Sequence, residues 1–500
     1  MKRLMLLGLD GGDLGYIQSR AARLPYFQQR LRQGNLFTLE APEALSGSVW
    51  PTFYTGAHPG VHGIYQHLIW DAQRMGLRRI GPDWCHYRPF WQGLEQQGHK
   101  TVVLDVPYSF PTALKQGAEI TDWATHGQTW PTRSSHPQAA ALLRQAGKSP
   151  IGRETPIQKT PAQLQKIKTR LIDSAAKKGE LIQTLARSMD WDMLIAVFGE
   201  THRGGHLFFS DDDEGELGAS TPLLEVYQAV DRAIAAVADA LDPDTALVLF
   251  SVHGMARDYA QGHLVRPVMQ QINQRFLQQH GQQAAASSKR GQGLVAALRR
   301  SVPANLQYAV GAAAPDAVRQ WVVEQEIVGG LDWSRTPGFA LRTDIRTELR
   351  LNLVGRESQG MLEPNSPLHH SYVDFVKRAF LELRDSDTGA QLVDEVIHTH
   401  DLFPGQRCAG LPDLVVTWHS QPPVRAAESP LIGSVTAKPT EARGGDHTDY
   451  GFALLPEALQ PLAPLQEITD LARFSHRFFE ARRSRQQGVA RETDLRTSGV

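Results

Sequence analysis

The sequence predicts an α/β fold with a mostly parallel central sheet and helices on both of its faces. The first observation is a short apolar run that recurs along the chain and each time leads into a polar or glycine-rich loop, as buried parallel strands do. These runs cover residues 4–9, 101–106, 193–198, 246–252 and 414–417. The second observation is that segments of helical character lie between the runs. They cover residues 90–98, 161–188 and 223–241.

Each of these elements has its own sequence signal. The first run, Leu-Met-Leu-Leu-Gly-Leu, ends at Asp10, and the first helical segment is bounded by Gly98. Residues 161–188 are rich in Lys, Gln, Leu and Ala, which are good helix formers. In residues 223–241 the apolar side chains recur at helical spacing. That face consists of Leu224, Tyr227, Val230, Ile234, Val237 and Leu241.

The length favours one large core over several small domains. The chain has 500 residues, of which 41% are hydrophobic and 21% charged, as in ordinary globular proteins. We expect a single core formed by residues 1–264 and 331–478. Residues 265–330 are predicted to be an inserted cap with a flexible connector that is low in bulky side chains. The Arg-rich tail, residues 479–500, is predicted to be a frayed helix or disordered.

The composition excludes several classes of protein. The 52 Lys and Arg against 53 Asp and Glu give a net charge of -1, which argues against a generally basic surface for nucleic-acid polymers. The 2 cysteines, Cys85 and Cys408, offer neither a disulfide framework nor a thiolate metal cluster. No stretch approaches the ~20 apolar residues of a membrane span, and the first run, about six residues long, is too short for a signal peptide. We therefore expect a soluble cytoplasmic protein without a membrane partner.

Ligands of parallel α/β sheets bind beyond the carboxyl ends of the strands, where this chain places Asp10 and several of its 19 histidines. Asp10 could ligate a divalent ion or cap a helix. His202 and His206, four residues apart after the third run, could face one ion or be two polar loop histidines. His253 follows the fourth run and could also be a hydrogen-bonded core histidine. His447 lies in a glycine-rich loop, where a turn is the alternative.

A cluster of hydroxyl groups precedes a helix-like stretch early in the chain. It consists of Ser46, Ser48 and Thr52. A hydroxyl at a helix N-terminus could be a nucleophile that a metal ion activates, or only a helix cap. His58 and His62, a second pair of histidines four residues apart, are interpreted as structural or surface residues.

Together these segments resemble the alkaline phosphatase superfamily, specifically its type I phosphodiesterase/nucleotide pyrophosphatase branch. The most specific block is Thr-Gly-x-x-Pro-Gly-x-His-Gly-Ile at residues 55–64. The other anchors are the opening Gly-x-Asp-Gly, then Glu-Thr-His-x-x-x-His, Ser-Val-His-Gly-Met and Gly-Asp-His-Thr. The resemblance covers about residues 1–265 and 330–455 and implies an alkaline-phosphatase-like fold.

The resemblance also implies a hydroxyl nucleophile and two divalent ions, often zinc. The family places its nucleophile ten residues before the glycine of the Thr-Gly pair, which here is Ser46, with Ser48 and Thr52 as competitors. The implied metal ligands are His202, His206 and His447 for one ion, and Asp10, Ser46 and His253 for the other.

The sequence departs from the family at two of these ligand positions. His202 stands where the family has Asp, and Val252 stands where the family has Asp directly before the histidine. Because valine cannot ligate, the second ion would be weakly held or absent unless Asp13, Glu200 or Asp446 compensates. The three-histidine set remains a complete site with an open position. Histidine ligands suit zinc better than magnesium or calcium, and manganese is the alternative.

We therefore expect a metal-dependent hydrolase of small phosphate esters, most similar to phosphodiesterases and nucleotide pyrophosphatases, with a phosphoseryl intermediate at Ser46. The amide of Gly47 is the expected donor to a nonbridging oxygen of the substrate. The alternatives are a phosphomonoesterase or phosphotransferase of the same superfamily, or a binding protein on a decayed hydrolase fold, which Val252 favours. A sulfatase is disfavoured because Ser46 lacks the Pro and Arg that should follow it. The sequence assigns neither a natural substrate nor an oligomeric state.

Overall fold

The computed structural model describes residues 1–42, 44–83, 87–112, 114–128, 130–152, 154, 159–213, 220–281, 314–342, 346–439 and 443–497. The strands are β1 (Arg3–Leu9), β2 (Gly34–Glu40), β3 (Leu68–Asp71), β4 (Gly76–Arg79), β5 (Thr101–Leu104), β6 (Ala118–Thr121), β7 (Arg133–Ser134), β8 (Met193–Phe198), β9 (Thr245–Ser251), β10 (Met255–Arg257), β11 (Gly338–Arg342), β12 (Thr347–Leu351), β13 (Arg384–Asp385), β14 (Val393–His398), β15 (Leu414–Trp418), β16 (Ala426–Ser429), β17 (Gly433–Thr436), β18 (Gly445–His447) and β19 (Tyr450–Pro456). The α-helices are α1 (Leu14–Ser19), α2 (Pro25–Gln33), α3 (Val49–Thr55), α4 (Pro59–His62), α5 (Phe90–Gln96), α6 (Pro137–Ala146), α7 (Pro161–Ser188), α8 (Glu200–Asp213), α9 (Pro222–Asp239), α10 (Gly262–Gln279), α11 (Asp316–Val328), α12 (Pro367–Leu381), α13 (Thr399–Leu402) and α14 (Asp470–Thr497). Short 3-10 turns cover Ala21–Arg23, Ser46–Ser48, Trp333–Arg335, Cys408–Gly410 and Glu457–Leu462.

Eight strands form the central sheet in the order β2-β19-β9-β1-β8-β5-β6-β7. Strand β1 runs parallel to both of its neighbours, β8 and β9, and β5 runs parallel to β8 and β6. Strands β19 and β7 are antiparallel to their neighbours on the two sides of this parallel block. The predicted fold, a mostly parallel sheet between helices, is therefore confirmed.

Both faces of the central sheet are buried, and β1 shows how. Met5, Leu7 and Leu9 point to one face, where they share a hydrophobic core with α7 and α9. Leu4 and Leu6 point to the other face and share a second core with α3, α5 and α14. A strand that is buried on both faces needs apolar residues at every position, which explains why the run is continuous and not alternating.

The predicted helices agree with the observed ones to within two residues at each end. The segment 161–188 is α7, whose start is set by a capping box between Thr160 and Gln163. The segments 90–98 and 223–241 are α5 and α9. Within the described ranges, no helix has both the length and the hydropathy needed to cross a membrane.

One of the five predicted strands belongs to a different sheet. The run 414–417 lies in β15, which is antiparallel to β12 and β14 in a separate sheet of four strands. Its assignment to the parallel sheet was wrong. A short apolar run indicates burial, but it carries no information about which strands become its neighbours.

A further hydrophobic core packs against this smaller sheet. Leu264 and Ile272 of α10 contribute to it, together with Tyr372 and Val376 of α12. The predicted cap, residues 265–330, lies partly outside the described residues, so its extent stays a prediction. The shared core groups α10 with the smaller sheet and α12.

Helix α14 continues to Thr497 and covers most of the predicted tail, residues 479–500. Residues 498–500 lie outside the described part, and the state of the tail stays a prediction. Phe479 is buried in the core, and Arg482 donates to the carbonyl of Lys2 (2.6 Å) and to the carboxylate of Asp192 (2.7 Å). These contacts hold the helix beyond the point where its apolar pattern ends.

A buried ion pair joins α7 to the carboxyl ends of β5 and β8. Nζ of Lys178 lies 3.0 Å from the carboxylate of Asp105, and both side chains are fully buried. Lys178 also donates to the carbonyls of Ala124 (2.9 Å) and Val197 (2.7 Å). The Asp105 carboxylate in turn accepts hydrogen bonds from the amides of Trp123 and Ala124, each at 2.8 Å. The pair therefore fixes the loop after β6 against the neighbouring strand ends.

Replacing the buried cation should destabilise the protein strongly. In Lys178→Met the carboxylate of Asp105 stays buried without its partner, and removing one member of such a pair costs about 3–5 kcal/mol. Urea unfolding followed by circular dichroism measures the free energy of unfolding. The matched control is Lys177→Met at the exposed neighbouring position, which should change that free energy by less than about 0.5 kcal/mol. Equal stability of the two variants would contradict this role of Lys178.

Candidate metal centre

The carboxyl ends of the central strands bring the predicted ligands together. Asp10 follows β1, His253 follows β9, and His202 and His206 lie on α8 directly after β8. His447 lies in β18, which pairs with β10 just beyond the end of β9. One ligand nitrogen each of His202, His206 and His447 lie within 4.8 Å of one another. Because β1, β8 and β9 are adjacent and parallel, their ends converge on one small volume.

The carboxylate of Asp10 is the centre of this arrangement and is fully buried. Its Oδ1 accepts a hydrogen bond from Nε1 of Trp50 (2.8 Å). The same oxygen lies 3.1 Å from Nε2 of His253 and 3.2 Å from Nδ1 of His202. Its Oδ2 lies 2.5 Å from Nδ1 of His126. One carboxylate therefore contacts side chains from four separate segments of the chain.

The buried surroundings keep most of these histidines neutral. Burial lowers the pKa of His202 to about 4, although Asp10 opposes the shift. Burial likewise lowers the pKa values of His206 and His447 well below the ordinary value. Burial alone would raise the pKa of Asp10, but His202 and His126 hold it well below its usual value. At neutral pH the site therefore offers imidazole lone pairs and a carboxylate, the states that bind metal ions.

Hydrogen bonds to the backbone aim the lone pairs of two histidines into the site. Nδ1 of His206 donates to the carbonyl of Gly445 (2.7 Å), which leaves its Nε2 lone pair 3.2 Å from Nε2 of His447. Nδ1 of His253 donates to the carbonyl of Gly254 (3.0 Å) and turns Nε2 inward. Such bonds fix the tautomer and the ring orientation of metal-ligating histidines.

The spacing of the donor atoms fits a divalent ion. Nδ1 of His447 has no hydrogen-bond partner among the described residues, and Nδ1 of His202 faces Asp10 in an orientation that makes no hydrogen bond. Ligand atoms that lie 2.0–2.1 Å from a tetrahedral ion are about 3.3 Å apart. Asp10 lies 3.1 Å from His253 and 3.2 Å from His202, and His206 lies 3.2 Å from His447, whereas the contact of Asp10 with His126 is shorter, at 2.5 Å. The unpartnered nitrogens and this spacing both indicate a place for a cation.

The site includes a histidine that the strand pattern does not predict. His126 follows β6, whose four residues include Glu119 and so do not read as an apolar run. The ring of His126 stacks on that of His202, with centroids 4.0 Å apart and planes inclined by 13°. One ligand atom each of Asp10, His126 and His202 lie within 4.8 Å of one another. The sequence signal that could have located His126 is its position five residues after the end of a short strand.

The carboxylates considered as substitutes for the missing ligand make other contacts. Asp13 caps α1 through its side chain, which is the role the sequence left open for Asp10. Glu200 accepts a hydrogen bond from the hydroxyl of Ser174 (2.5 Å), and burial raises its pKa. The carboxylate of Asp446 accepts from the backbone amide of the following residue (2.6 Å).

Ser46 and Gly47 lie in the 3-10 turn that leads into α3. Trp50, about one helical turn after Ser46, donates to Asp10 and so anchors α3 to the ligand cluster. The chain passes very close to a neighbouring loop here, because a Cβ on Gly47 would lie 2.1 Å from the carbonyl oxygen of Tyr65. Ser46 is half-buried and, within the described part of the chain, makes no hydrogen bond to the ligand cluster. The turn is therefore tied to the cluster through Trp50 and not through Ser46 itself.

The two competing hydroxyls have structural partners. Ser48 donates to the carbonyl of Leu45 (2.6 Å). Nδ1 of His62 accepts from the amide of Ile64 (3.0 Å), so its Nε2 carries the proton and donates to Oγ1 of Thr52 (3.1 Å). Burial lowers the pKa of His62 to about 3. This histidine thus joins α3 to α4 and takes no part in the ligand cluster.

A sequence model of the type I phosphodiesterase/nucleotide pyrophosphatase family matches residues 4–317. The chain belongs to this family. The resemblance to the type I phosphodiesterase/nucleotide pyrophosphatase branch, inferred from its motifs, is confirmed. No curated protein matches this family member in sequence.

Solved structures resemble this family member at low sequence identity. Phosphonoacetate hydrolase from Sinorhizobium meliloti 1021 is 14% identical with a TM-score of 0.50, and the match covers 95% of this chain and 94% of that one. Murine ectonucleotide pyrophosphatase/phosphodiesterase 5 is 11% identical with a TM-score of 0.47 over 96% of this chain and 95% of that one. The human protein of the same name is 11% identical with a TM-score of 0.48 and the same coverage of 96% and 95%. The first of these supports the alkaline-phosphatase-like fold.

The buried His62 should make stability depend on pH. Its pKa of about 3 in the folded protein lies below the ordinary 6.5, so the unfolded chain binds the extra proton between these values. Its contribution to stability is complete above pH 6.5 and falls as the pH drops towards 3, by at most about 1.4 kcal/mol per pH unit. The variant His62→Gln, which cannot titrate, should lose less stability than the wild type between pH 6.5 and pH 5. Urea unfolding at both pH values measures the difference, and equal losses in the two proteins would refute the assignment.

Proposed function

We propose that this protein is a metal-dependent hydrolase of small phosphate esters, of the phosphodiesterase type, with Ser46 as its nucleophile. The observation that carries the proposal is the convergence of Asp10 and the histidines at the strand ends, to which Trp50 anchors the helix that follows Ser46. Family membership supports the reaction class, phosphoester hydrolysis. The substrate that we propose is a phosphate ester, whose phosphorus atom would lie next to this ligand cluster.

The ligands divide into two groups. His202, His206 and His447 would hold one divalent ion, and Asp10 with His253 would contribute to a second. We propose zinc, which histidine-rich sites favour, over manganese. A bound divalent ion supplies positive charge that lowers the pKa of a nearby hydroxyl and stabilises charge on phosphoryl oxygens. The chain's own part is to keep the ligands deprotonated by burial and oriented by backbone hydrogen bonds.

Ser46 carries out the displacement in two steps. Its Oγ loses a proton and forms a bond to phosphorus while the bond from phosphorus to the leaving oxygen breaks, and the released alkoxide takes up a proton. In the second step a water oxygen forms a bond to phosphorus, the bond to Oγ breaks, and the serine is regenerated. The amide of Gly47, in the same turn, donates to a nonbridging oxygen during both steps.

The surroundings of the three hydroxyls support the choice of Ser46. The hydroxyl of Ser48 is engaged by a backbone carbonyl, and that of Thr52 by His62. Ser46 is half-buried, whereas Ser48 and Thr52 are buried. A nucleophile must be open to its substrate, and only Ser46 meets that condition.

Phosphomonoester hydrolysis is the second candidate, and charge favours it. His202 and Val252 stand where the family has two carboxylates, so bound divalent ions would keep more of their positive charge. A monoester dianion carries more negative charge than a diester and would be attracted more strongly. Comparing kcat/KM for nitrophenyl phosphate and bis(nitrophenyl) phosphate distinguishes the two candidates, and absence of turnover with both esters would support a binding protein instead.

The nucleophile assignment can be tested by a matched pair of serine variants. Ser46→Ala should lower kcat for a nitrophenyl phosphodiester by at least about 10³-fold, because the covalent step is lost. The metal content of the purified variant should stay at the wild-type level. Ser48→Ala, two residues further on, should retain most of the activity. Unchanged turnover in Ser46→Ala would remove this residue from the mechanism.

Metal dependence can be tested by chelation. The protein treated with a chelator and freed of it should lose its esterase activity, and zinc or manganese should restore it. Zinc should also stabilise the folded state, by about 2.7 kcal/mol at a free concentration 100 times its dissociation constant. Magnesium at the same concentration serves as the control and should do less, because it prefers oxygen ligands. Full activity in metal-free protein would contradict the proposal.

A further inference from the structure

We propose that His126 is a ligand of the second metal ion and takes the place of the carboxylate that is missing at Val252. The inference depends on the proposed function only for the presence of metal ions. It assigns to the site a residue that lies outside the motifs of the family resemblance.

The side chain of Val252 belongs to the hydrophobic core. It is fully buried and shares a cluster with Trp50 and Phe250 on one face of the central sheet. It has no lone pair to offer. The group formed by Asp10 and His253 is therefore one protein ligand short, and the nearby carboxylates of Asp13 and Glu200 have other partners.

His126 reaches the same carboxylate from the loop after β6, whereas His253 follows β9. Its Nδ1 lies 2.5 Å from Oδ2 of Asp10, and Nδ1 of His202 lies 3.2 Å from Oδ1. The two rings stack at 4.0 Å, so they present parallel nitrogens to the two oxygens of one carboxylate. The three ligand atoms lie within 4.8 Å of one another. Because His202 is assigned to the first ion, the second would be held by Asp10, His126 and His253, whose nitrogens lie 2.5 Å and 3.1 Å from the two oxygens of the Asp10 carboxylate.

Hydrogen bonds and packing within the protein hold the loop that carries His126 in place, without a contribution from a metal ion. The amides of Trp123 and Ala124 donate to Asp105, and Lys178 donates to the carbonyl of Ala124. Where β8 ends, a Cβ on Gly199 would lie only 2.7 Å from the backbone nitrogen of His126, so the strand end packs directly against the loop. A ligand held by a supporting shell of this kind is pre-organised for its ion.

The alternative role for His126 is that of a hydrogen-bond partner of Asp10 and nothing more. The variant His126→Asn separates the two roles, because an amide can still donate to a carboxylate but is a poor ligand for zinc or cobalt. The variant His126→Cys makes the opposite change, since a thiolate is a strong ligand for both ions. His136→Cys is the matched control, because His136 lies ten residues further along the chain and caps α6.

The experiment is a cobalt(II) titration of the metal-free, full-length proteins, followed by visible and near-ultraviolet absorption. We expect two equivalents bound by the wild type and one by His126→Asn and His126→Ala. His126→Cys should bind two equivalents and show a thiolate-to-cobalt charge-transfer band that His136→Cys lacks. Far-ultraviolet circular dichroism and thermal unfolding show that each variant is folded. Two equivalents in folded His126→Asn, with no such band in His126→Cys, would overturn the proposal, as would a wild type that binds a single equivalent.

Ester hydrolysis by the same samples keeps this inference separate from the proposed function. If His126→Asn binds one equivalent fewer than the wild type, and the wild type hydrolyses no ester, the result would support His126 as a metal ligand and reject the proposed hydrolase function. Turnover by the wild type, with both equivalents retained in His126→Asn, would support the hydrolase and reject the ligand.

Discussion

The buried carboxylate of Asp10 is the constraint on which the rest of the site depends. A charge that is fully withdrawn from water is costly unless partners surround it. Trp50 donates to Asp10, and the rings of His126, His202 and His253 lie against its carboxylate, so its contacts come from four distant segments. The backbone around it is held as well, since Thr201 donates its hydroxyl to the carbonyl of Asp10 (2.6 Å). The contacts with Asp10 therefore fix four elements relative to one another: α3, the start of α8 and the loops after β6 and β9. The position of the candidate nucleophile, Ser46, depends on the same carboxylate through Trp50.

The residues that sequence reasoning located share one physical property. Asp10, His202 and His253 each follow an apolar strand closely, and the strands are adjacent and parallel, so proximity follows from topology. The position of His126 cannot be predicted from this topology, because the strand before it, β6, is short and contains the buried Glu119. The place of its loop depends on an ion pair between Lys178 and Asp105, which are far apart in the sequence. The run 414–417 shows a related limit: local hydrophobicity indicates burial, whereas pairing partners are set by the whole chain.

The exchange of a carboxylate for Val252 changes what stabilises the end of β9. Burying a valine side chain contributes about 1.5–3 kcal/mol whether or not an ion is bound. An aspartate at this position would stabilise the fold only with an ion or another partner nearby, since burial alone penalises its charge. The valine therefore makes this strand end independent of metal and extends the hydrophobic core to the edge of the site. A replacement ligand would come from another element, as we propose for His126 on the loop after β6, which contacts Asp10.

The two ligand groups differ in how the chain holds them. His202 and His206 stand on the first turns of α8, and His206 is oriented by a backbone carbonyl of β18, so that group rests on the main chain of regular elements. His126 stands on a loop whose position depends on a lysine of α7. Helix α7 also contacts α8, because its Ser174 donates to Glu200, but the ring of His206 is oriented by the backbone of β18. If His126 is a ligand as we propose, substitutions around Lys178 would act on it more directly than on the three-histidine group. The loss of a carboxylate at Val252 would then leave a cluster of metal-ligating type in place.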